Sequence, residues 1–400
     1  MPTLSRTTVL LLSLGAGLAA FFVSVVEPKL KVMGVGREVV PLNNGQCYAV
    51  PGLEACEDAW VDEETETAYL ACSDPVSRKN WTPATLHLNA SALPPVSTDY
   101  VAVLDLPSRS YQKLHLHGLP VEANGVWVHG IEVVRDPKSP KHLTLLLNSH
   151  RPPKDRATAP QVGADSVIEV FETVLGSKEA VHVRTVEHPL IRTPNNMAAV
   201  SKTGFYVSND HRYKTHWTRP FELLKPVPSD IVYCDISTDV VDCKVAADNV
   251  VYPNGLAKGP GNLLYQASSL DACVHIWEAL SDHTLVPLQV IPIARPLDNI
   301  HVHPSTGEIY TTALAKVLDF FKFTETGPYT NQRAAVEVWR VRNTTEEKEK
   351  AEPLSRQYVA ELAFADTGEI VSGSTSGVPF KDKLLLTGLV SKEVVVCKLA

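Results

Sequence analysis

Beyond about Lys31, apolar and polar positions alternate in short bursts. Each burst is rich in Val, Ile, Leu, Thr and Tyr and bounded by Gly, Pro, Asn or Asp. Such stretches predict β-strands. They run over Thr67–Cys72, Tyr100–Leu106, Leu143–Asn148, Ser166–Thr173, Val181–Val186, Gly204–Val207 and Asp230–Asp235. They continue over Asn262–Gln266, Ala272–Ala279, Leu285–Ile291, Gly307–Thr311, Ala335–Val341, Tyr358–Ala363 and Lys383–Leu386. Helical periodicity is confined to Val317–Phe321 and the charged Glu346–Lys350 patch. Several strands share one grammar: a loop with a polar residue, an apolar pair, a turn, then an aromatic-bearing strand. Asn254-Gly-Leu-Ala before Leu263-Leu-Tyr and Asn299-Ile-His-Val before Ile309-Tyr310 are two instances. Asn196-Met-Ala-Ala before Phe205-Tyr206 and Glu57-Asp-Ala-Trp before Ala68-Tyr69 are two more. A loop–strand–turn–strand unit recurring every few tens of residues predicts a β-propeller. A β-sandwich would have fewer strands and no reason to repeat polar residues at equivalent places.

The start of the chain follows another rule. Arg6 precedes an uncharged apolar run from about Thr8 to Val26, with Glu27, Lys29 and Lys31 after it. The run approaches the ~20 residues that span a bilayer and lacks a small-residue cleavage pattern. A retained signal-anchor is therefore favoured over a removed signal peptide. The organisation expected is residues 1–31 as this segment and 32–400 as one propeller domain. Sequons at Asn80, Asn89 and Asn343 point to a lumenal or extracellular body, or a secreted one. Among seven cysteines, Cys234 and Cys243 flank a hairpin-like spacer, Cys56 and Cys72 form a second local pair, and Cys47 and Cys397 lie near the two ends. Cys273 is left over; reduced, buried thiols are the alternative. The net charge of −8 argues against nucleic acid as a partner.

In a propeller, equivalent positions of different blades face one another across a channel. The polar residues that open the repeats are Glu57, Asn195, Asn254, Asp298 and Asn299. Two carboxylates and three amides make an all-oxygen set, which suits Ca²⁺ rather than Zn²⁺ or Cu²⁺. Each alone is an ordinary turn former; their recurrence is what suggests a site.

Leu53-Glu-Ala-Cys-Glu57-Asp58, Val128-His129-Gly-Ile131, Asn195-Asn196-Met-Ala-Ala-Val, Phe205-Tyr-Val-Ser-Asn-Asp-His211, Pro253-Asn254-Gly-Leu and Leu297-Asp298-Asn299-Ile occur in that order. Together they make a sequence that resembles the serum paraoxonase/arylesterase family over nearly everything after about Val39. The resemblance implies a six-bladed propeller closed by its N- and C-terminal strands through a Cys47–Cys397 bridge, with two calcium ions in the channel. It implies a catalytic calcium held by Glu57, Asn195, Asn254, Asp298 and Asn299. A structural calcium would use Asp58, the Ile131 carbonyl and Asn196, where the family usually has aspartate. His129 matches the family's general base. His150 matches its partner only with one residue of offset, Asn148-Ser-His in place of Asn-His. A third channel histidine of some relatives is replaced by Leu314.

The expected activity is calcium-dependent hydrolysis of small esters or lactones, with His129 activating water and the Asn195 and Asn254 amides supporting developing charge. The apolar segment would bind a membrane or lipid surface, as the family's does. No Gly-x-Ser-x-Gly elbow is present. The alternatives are a gluconolactonase-like or strictosidine-synthase-like calcium propeller with another substrate, and a propeller that binds a ligand without turning it over.

Overall fold

In a computed structural model that describes residues 5–344 and 358–399, the strands form six antiparallel sheets. Five have four strands; the sixth gains a fifth strand, His115–His117, which pairs in parallel with Glu179–Val186. The first strands of successive sheets are Cys56–Asp62, Val128–Asp136, Pro194–Ala199, Pro253–Lys258, Leu297–Val302 and Ser376–Phe380. Each packs on the next, and the last returns to the first. They are the inner strands of a six-bladed propeller. Thr345 of the third sequon and the Glu346–Lys350 patch lie outside the described residues.

The outer strands follow the sequence reading closely: Thr67–Cys72 coincides, and Ser166–Thr173 lies within Asp165–Val174. The inner strands do not, because the polar residues assigned there to loops sit within strands. An inner strand faces a polar channel on one side, so it lacks the apolar alternation that marks a half-buried strand.

Apolar side chains fill the wedges between blades. Tyr69, Val101, Leu145, Leu147 and Phe171 pack between the first two blades. Leu146, Ile168, Phe205, Val207 and Val232 do so between the second and third. Each such side chain contributes roughly 1.5–3 kcal/mol when fully buried. The last blade takes its outermost strand from the other end of the chain: Cys47–Pro51 pairs with Glu393–Lys398, with Cys47 directly opposite Cys397. Their disulfide spans 350 residues of chain. Cys56–Cys72 and Cys234–Cys243 also form, each between paired strands, and Cys273 is free. The expected helix at Val317–Phe321 extends to Thr326.

The N-terminal segment is one continuous helix from Arg6 to Val32, with a π-type stretch at Phe22–Val26. Its portion Leu12–Val32 is long and apolar enough to cross a membrane. Leu12, Leu14, Leu18, Phe21 and Val23 are exposed. Its far end is tied to the propeller. The Val317 amide donates to the Met33 carbonyl at 3.0 Å, and Arg37 Nη1 donates to the Ala315 carbonyl at 2.5 Å.

Candidate functional site

Five of the six inner strands carry one more residue than the strand they pair with, at the same level of the channel. Cys56 faces Cys72 and Asp58 faces Ala71, which leaves Glu57 in a bulge. The extra residue falls at Asn195–Asn196 between Pro194 and Met197, and at Asn254–Gly255 between Pro253 and Leu256. It falls at Asp298–Asn299 between Leu297 and Ile300, and at His129–Gly130 between Val128 and Ile131. A bulge frees a residue from the ladder and re-aims its side chain, and here every bulge bears a candidate site residue. Two bulges need glycine because the neighbouring blade is so close. A Cβ on Gly130 would lie 2.9 Å from the Asn195 carbonyl, and one on Gly255 would lie 2.6 Å from the Ile300 nitrogen.

Glu57, Asn195, Asn254, Asp298 and His129 line one cavity of about 310 Å³. All five are buried. Their hydrogen bonding is incomplete in one way. Glu57 Oε2, Asn195 Oδ1 and Asn254 Oδ1 are buried without any partner. The opposite ends of the groups are held. Asn299 Nδ2 donates to Glu57 Oε1 at 2.9 Å, Asn195 Nδ2 to Asp210 at 3.4 Å, and Asn254 Nδ2 to Ser269 at 3.1 Å. The amide N–H groups are therefore engaged by protein, which corrects the expectation that they support charge on the substrate; their oxygens are what remain open. Burial, with Asp58 and Asp298 nearby, pushes the Glu57 carboxyl well above its ordinary range. Burial raises Asp298 to about 7 against the pull of the Asn254 amide. Three orphaned oxygens and two carboxyls that resist ionisation are what a hard cation would satisfy. Asn299 does not line the cavity and holds Glu57 in place, its own Oδ1 accepting from Asn196 Nδ2 at 2.9 Å.

The group around Asp58 contrasts with this. Asp58 Oδ1 accepts from the Ala59 amide at 2.9 Å and from Ser376 at 3.0 Å. Its Oδ2 accepts from Asn196 Nδ2 at 3.0 Å and from the Ile131 amide at 3.4 Å. Asn196 Oδ1 is also taken, by the Met197 amide at 2.8 Å. Neither side chain has an oxygen without a partner.

His129 and His150 meet, with ring centroids 5.2 Å apart. The bulge at His129–Gly130 absorbs the one-residue offset that placed the pairing in doubt. His150 Nδ1 lies 2.8 Å from Ser166 Oγ, while His129 Nδ1 is buried without a partner. Burial, then His150 and Arg78, holds His129 well below its ordinary pKa. Burial and Arg78 lower His150 to about 3. Both rings are neutral, and His129 has a lone pair to offer.

The rest of the cavity is largely apolar. Leu314, Val317, Phe320 and Phe321 form one wall, Leu223 and Pro226 another, and Pro28, Val32 and Met33 of the N-terminal helix a third. Leu314 stands in the wall as expected. Of the loops named for substrate choice, 210–229 reaches the cavity, and 150–163 contributes His150 through a side pocket. The sequence gave no sign of Tyr252, Ser166 or the helix end; Tyr252 stands only two residues before Asn254 of the Pro-Asn-Gly motif.

A six-bladed propeller with an open oxygen set and a histidine pair in its channel defines a class of channel-site enzymes. Within it, residues 159–399 match the sequence model of the arylesterase family, and the chain belongs to that family. It is 26% identical to human serum paraoxonase/arylesterase 1 over 96% of this chain and 98% of that protein. It is 25% identical to the rat protein of the same name over 91% of each, and 21% identical to rat serum paraoxonase/lactonase 3 over 96% of this chain and 98% of that one. Among solved structures, the Malassezia sympodialis allergen Mala s 1 superposes with a TM-score of 0.52 at 11% identity, covering 89% of this chain and 96% of that one. That likeness concerns the fold alone.

Proposed function

We propose that this protein is a calcium-dependent hydrolase of carboxylic esters and lactones, acting from a membrane-anchored position with its propeller on the lumenal or extracellular side. The observation that carries the reading is the set of three unpartnered buried oxygens, on Glu57, Asn195 and Asn254, in the cavity that also holds Asp298 and His129. The names of the arylesterase and lactonase relatives support the same chemistry.

Glu57, Asn195, Asn254 and Asp298 would hold the ion, with Asn299 fixing the Glu57 carboxylate. When bound, calcium supplies Lewis-acid polarisation of the substrate carbonyl. His129, neutral and with a free lone pair, takes a proton from water as it adds to that carbonyl. His150 packs against it, held by Ser166, and fixes its ring. The Phe320, Phe321 and Leu314 wall receives the acyl or ring carbons and keeps bulk water out. The set around Asp58, Ile131 and Asn196 supports no second ion, because its side-chain oxygens are already engaged, and no step is assigned to one.

The propeller of residues 32–400 and the anchor of residues 1–31 divide the work. The helix end that lines the cavity brings the cavity mouth to the lipid surface, which favours apolar substrates. Glycans on Asn80, Asn89 and Asn343 agree with that side of the membrane. Asn89 is exposed, and its amide donates to Asn80 Oδ1 at 3.1 Å.

The test is hydrolysis of phenyl acetate and an aliphatic lactone with calcium, after EGTA, and after calcium is returned. Loss on chelation, recovery on addition, and inactivity of Glu57→Ala are expected. Turnover indifferent to EGTA would refute the reading.

A further inference from the structure

Beside the catalytic cavity lies a buried polar cluster that the mechanism above does not use. Tyr252 lines the cavity with Asn254 and Asp298. Its backbone is left-handed, with φ of 37°, a conformation a bulky residue adopts only when its surroundings impose it. The imposing neighbour is His211, whose ring meets that of Tyr252 edge to face at 4.5 Å. His211 Nδ1 is held by Glu222 Oε2, and both side chains are buried.

The direction of the hydrogen bonds follows from the partners. His211 Nε2 lies 3.1 Å from the Ala84 carbonyl and 3.1 Å from the Tyr252 hydroxyl. A carbonyl only accepts, so Nε2 carries hydrogen. The same N–H reaches the Tyr252 oxygen, which therefore accepts. The tyrosine's own hydrogen is left over, and among the described residues it has no acceptor of its own. It belongs to a hydroxyl at the wall of the cavity, next to the oxygens proposed to hold the ion.

We propose that Tyr252 is a substrate-contacting hydrogen-bond donor, kept in the donating state by the His211–Glu222 pair. The inference rests on the ester-hydrolase reading and adds a residue to it. With the carbonyl oxygen directed to the cation, the oxygen left for Tyr252 is the singly bonded one of the ester or lactone. A hydrogen bond there matters most when that oxygen departs as a basic alkoxide and least when it departs as a phenoxide. Tyr252 is thus a specificity element favouring lactones and alkyl esters. His211 is a positioning residue.

The test compares Tyr252→Phe with the parent on δ-valerolactone and phenyl acetate, both with calcium. Removing a preorganised donor at developing charge is expected to lower kcat on the lactone about 50-fold, and on phenyl acetate only about 3-fold. His211→Ala should reproduce the lactone loss, and His211→Gln, which can still donate to Tyr252, should recover part of it. Equal losses on the two substrates, or none, would overturn the inference. A second measurement does not depend on turnover: calorimetric binding of hexanoate, whose carboxylate offers a second oxygen to Tyr252. Tyr252→Phe should weaken it at least about 5-fold. If the parent hydrolyses neither ester, the hydrolase reading fails, and the hexanoate result alone decides whether Tyr252 is a donor. Unchanged hexanoate affinity refutes it.

Discussion

Removing the cation should destabilise the protein in a pH-dependent way whose sign follows from the site. In the ion-free cavity, burial holds the Asp298 carboxyl at about 7 instead of 3.8. At ~1.4 kcal/mol per pH unit, that is about 4 kcal/mol against ionised Asp298 in the folded chain. A carboxyl whose folded pKa lies above its unfolded value favours folding when protonated. That contribution is full below the unfolded value of 3.8, declines as pH rises, and is gone above about 7. Glu57 shifts in the same direction and adds to it. Unfolding entropy of ~2.1 cal/mol/K per residue gives about 0.8 kcal/mol/K for a chain of this length, so the Asp298 term alone is worth about 5 °C. The assay is thermal unfolding of the EGTA-treated and calcium-loaded protein at pH 5, 6, 7 and 8. The gap between the two melting temperatures should be small at pH 5 and should widen by about 5 °C or more at pH 8. A gap that is the same at every pH, or that narrows as pH rises, would refute the assignment of Asp298 and Glu57 as carboxyls that ionise to meet a cation.

Three further outcomes are expected. Metal analysis after dialysis against calcium should find one ion per chain, and Asn196→Asp should raise the count towards two; a parent that holds two ions would contradict the closed hydrogen bonding around Asp58. His129→Gln should lower kcat by about 100-fold or more while leaving calcium affinity within about 2-fold; a parallel loss of calcium would show that the histidine is structural. Replacing both Cys47 and Cys397 by serine should cost roughly 5 kcal/mol in chemical denaturation, because the bridge closes a loop of 350 residues. A cost no larger than for the Cys234–Cys243 pair, 9 residues apart, would put the closure elsewhere.

The strands that were legible in the sequence are those with one face on an apolar wedge. Val, Ile and Leu at Ser166–Thr173 or Leu285–Ile291 announce themselves by composition, and the blades follow from their recurrence. The inner strands were illegible for the reason that makes them useful. Pro194-Asn-Asn and Leu297-Asp-Asn carry channel residues where a half-buried strand would alternate, so they read as turns. The disulfides could be paired because hairpin neighbours and chain ends leave few partners. The ligand set was visible through repetition and family motifs, but its division was not. That Asn299 braces Glu57, and that Asn196 completes Asp58, depends on which way an amide points. Tyr252 was hidden for a different reason: its role comes from His211, Glu222 and Ala84, which lie 41, 30 and 168 positions away by the numbering and are brought together only by the closed ring.

Five bulges at one level of the channel have a consequence for how such a protein can change. A residue in a regular strand is committed twice, to its ladder partner and to the face it packs on. The extra residue of a bulge is released from the first commitment. Exchanging aspartate for asparagine at such a place alters the charge offered to an ion and leaves the ladder on either side intact. The propeller thus separates inheritance of shape from inheritance of chemistry: wedges and closure conserve the ring, while a handful of inserted positions can drift between binding one ion, two or none.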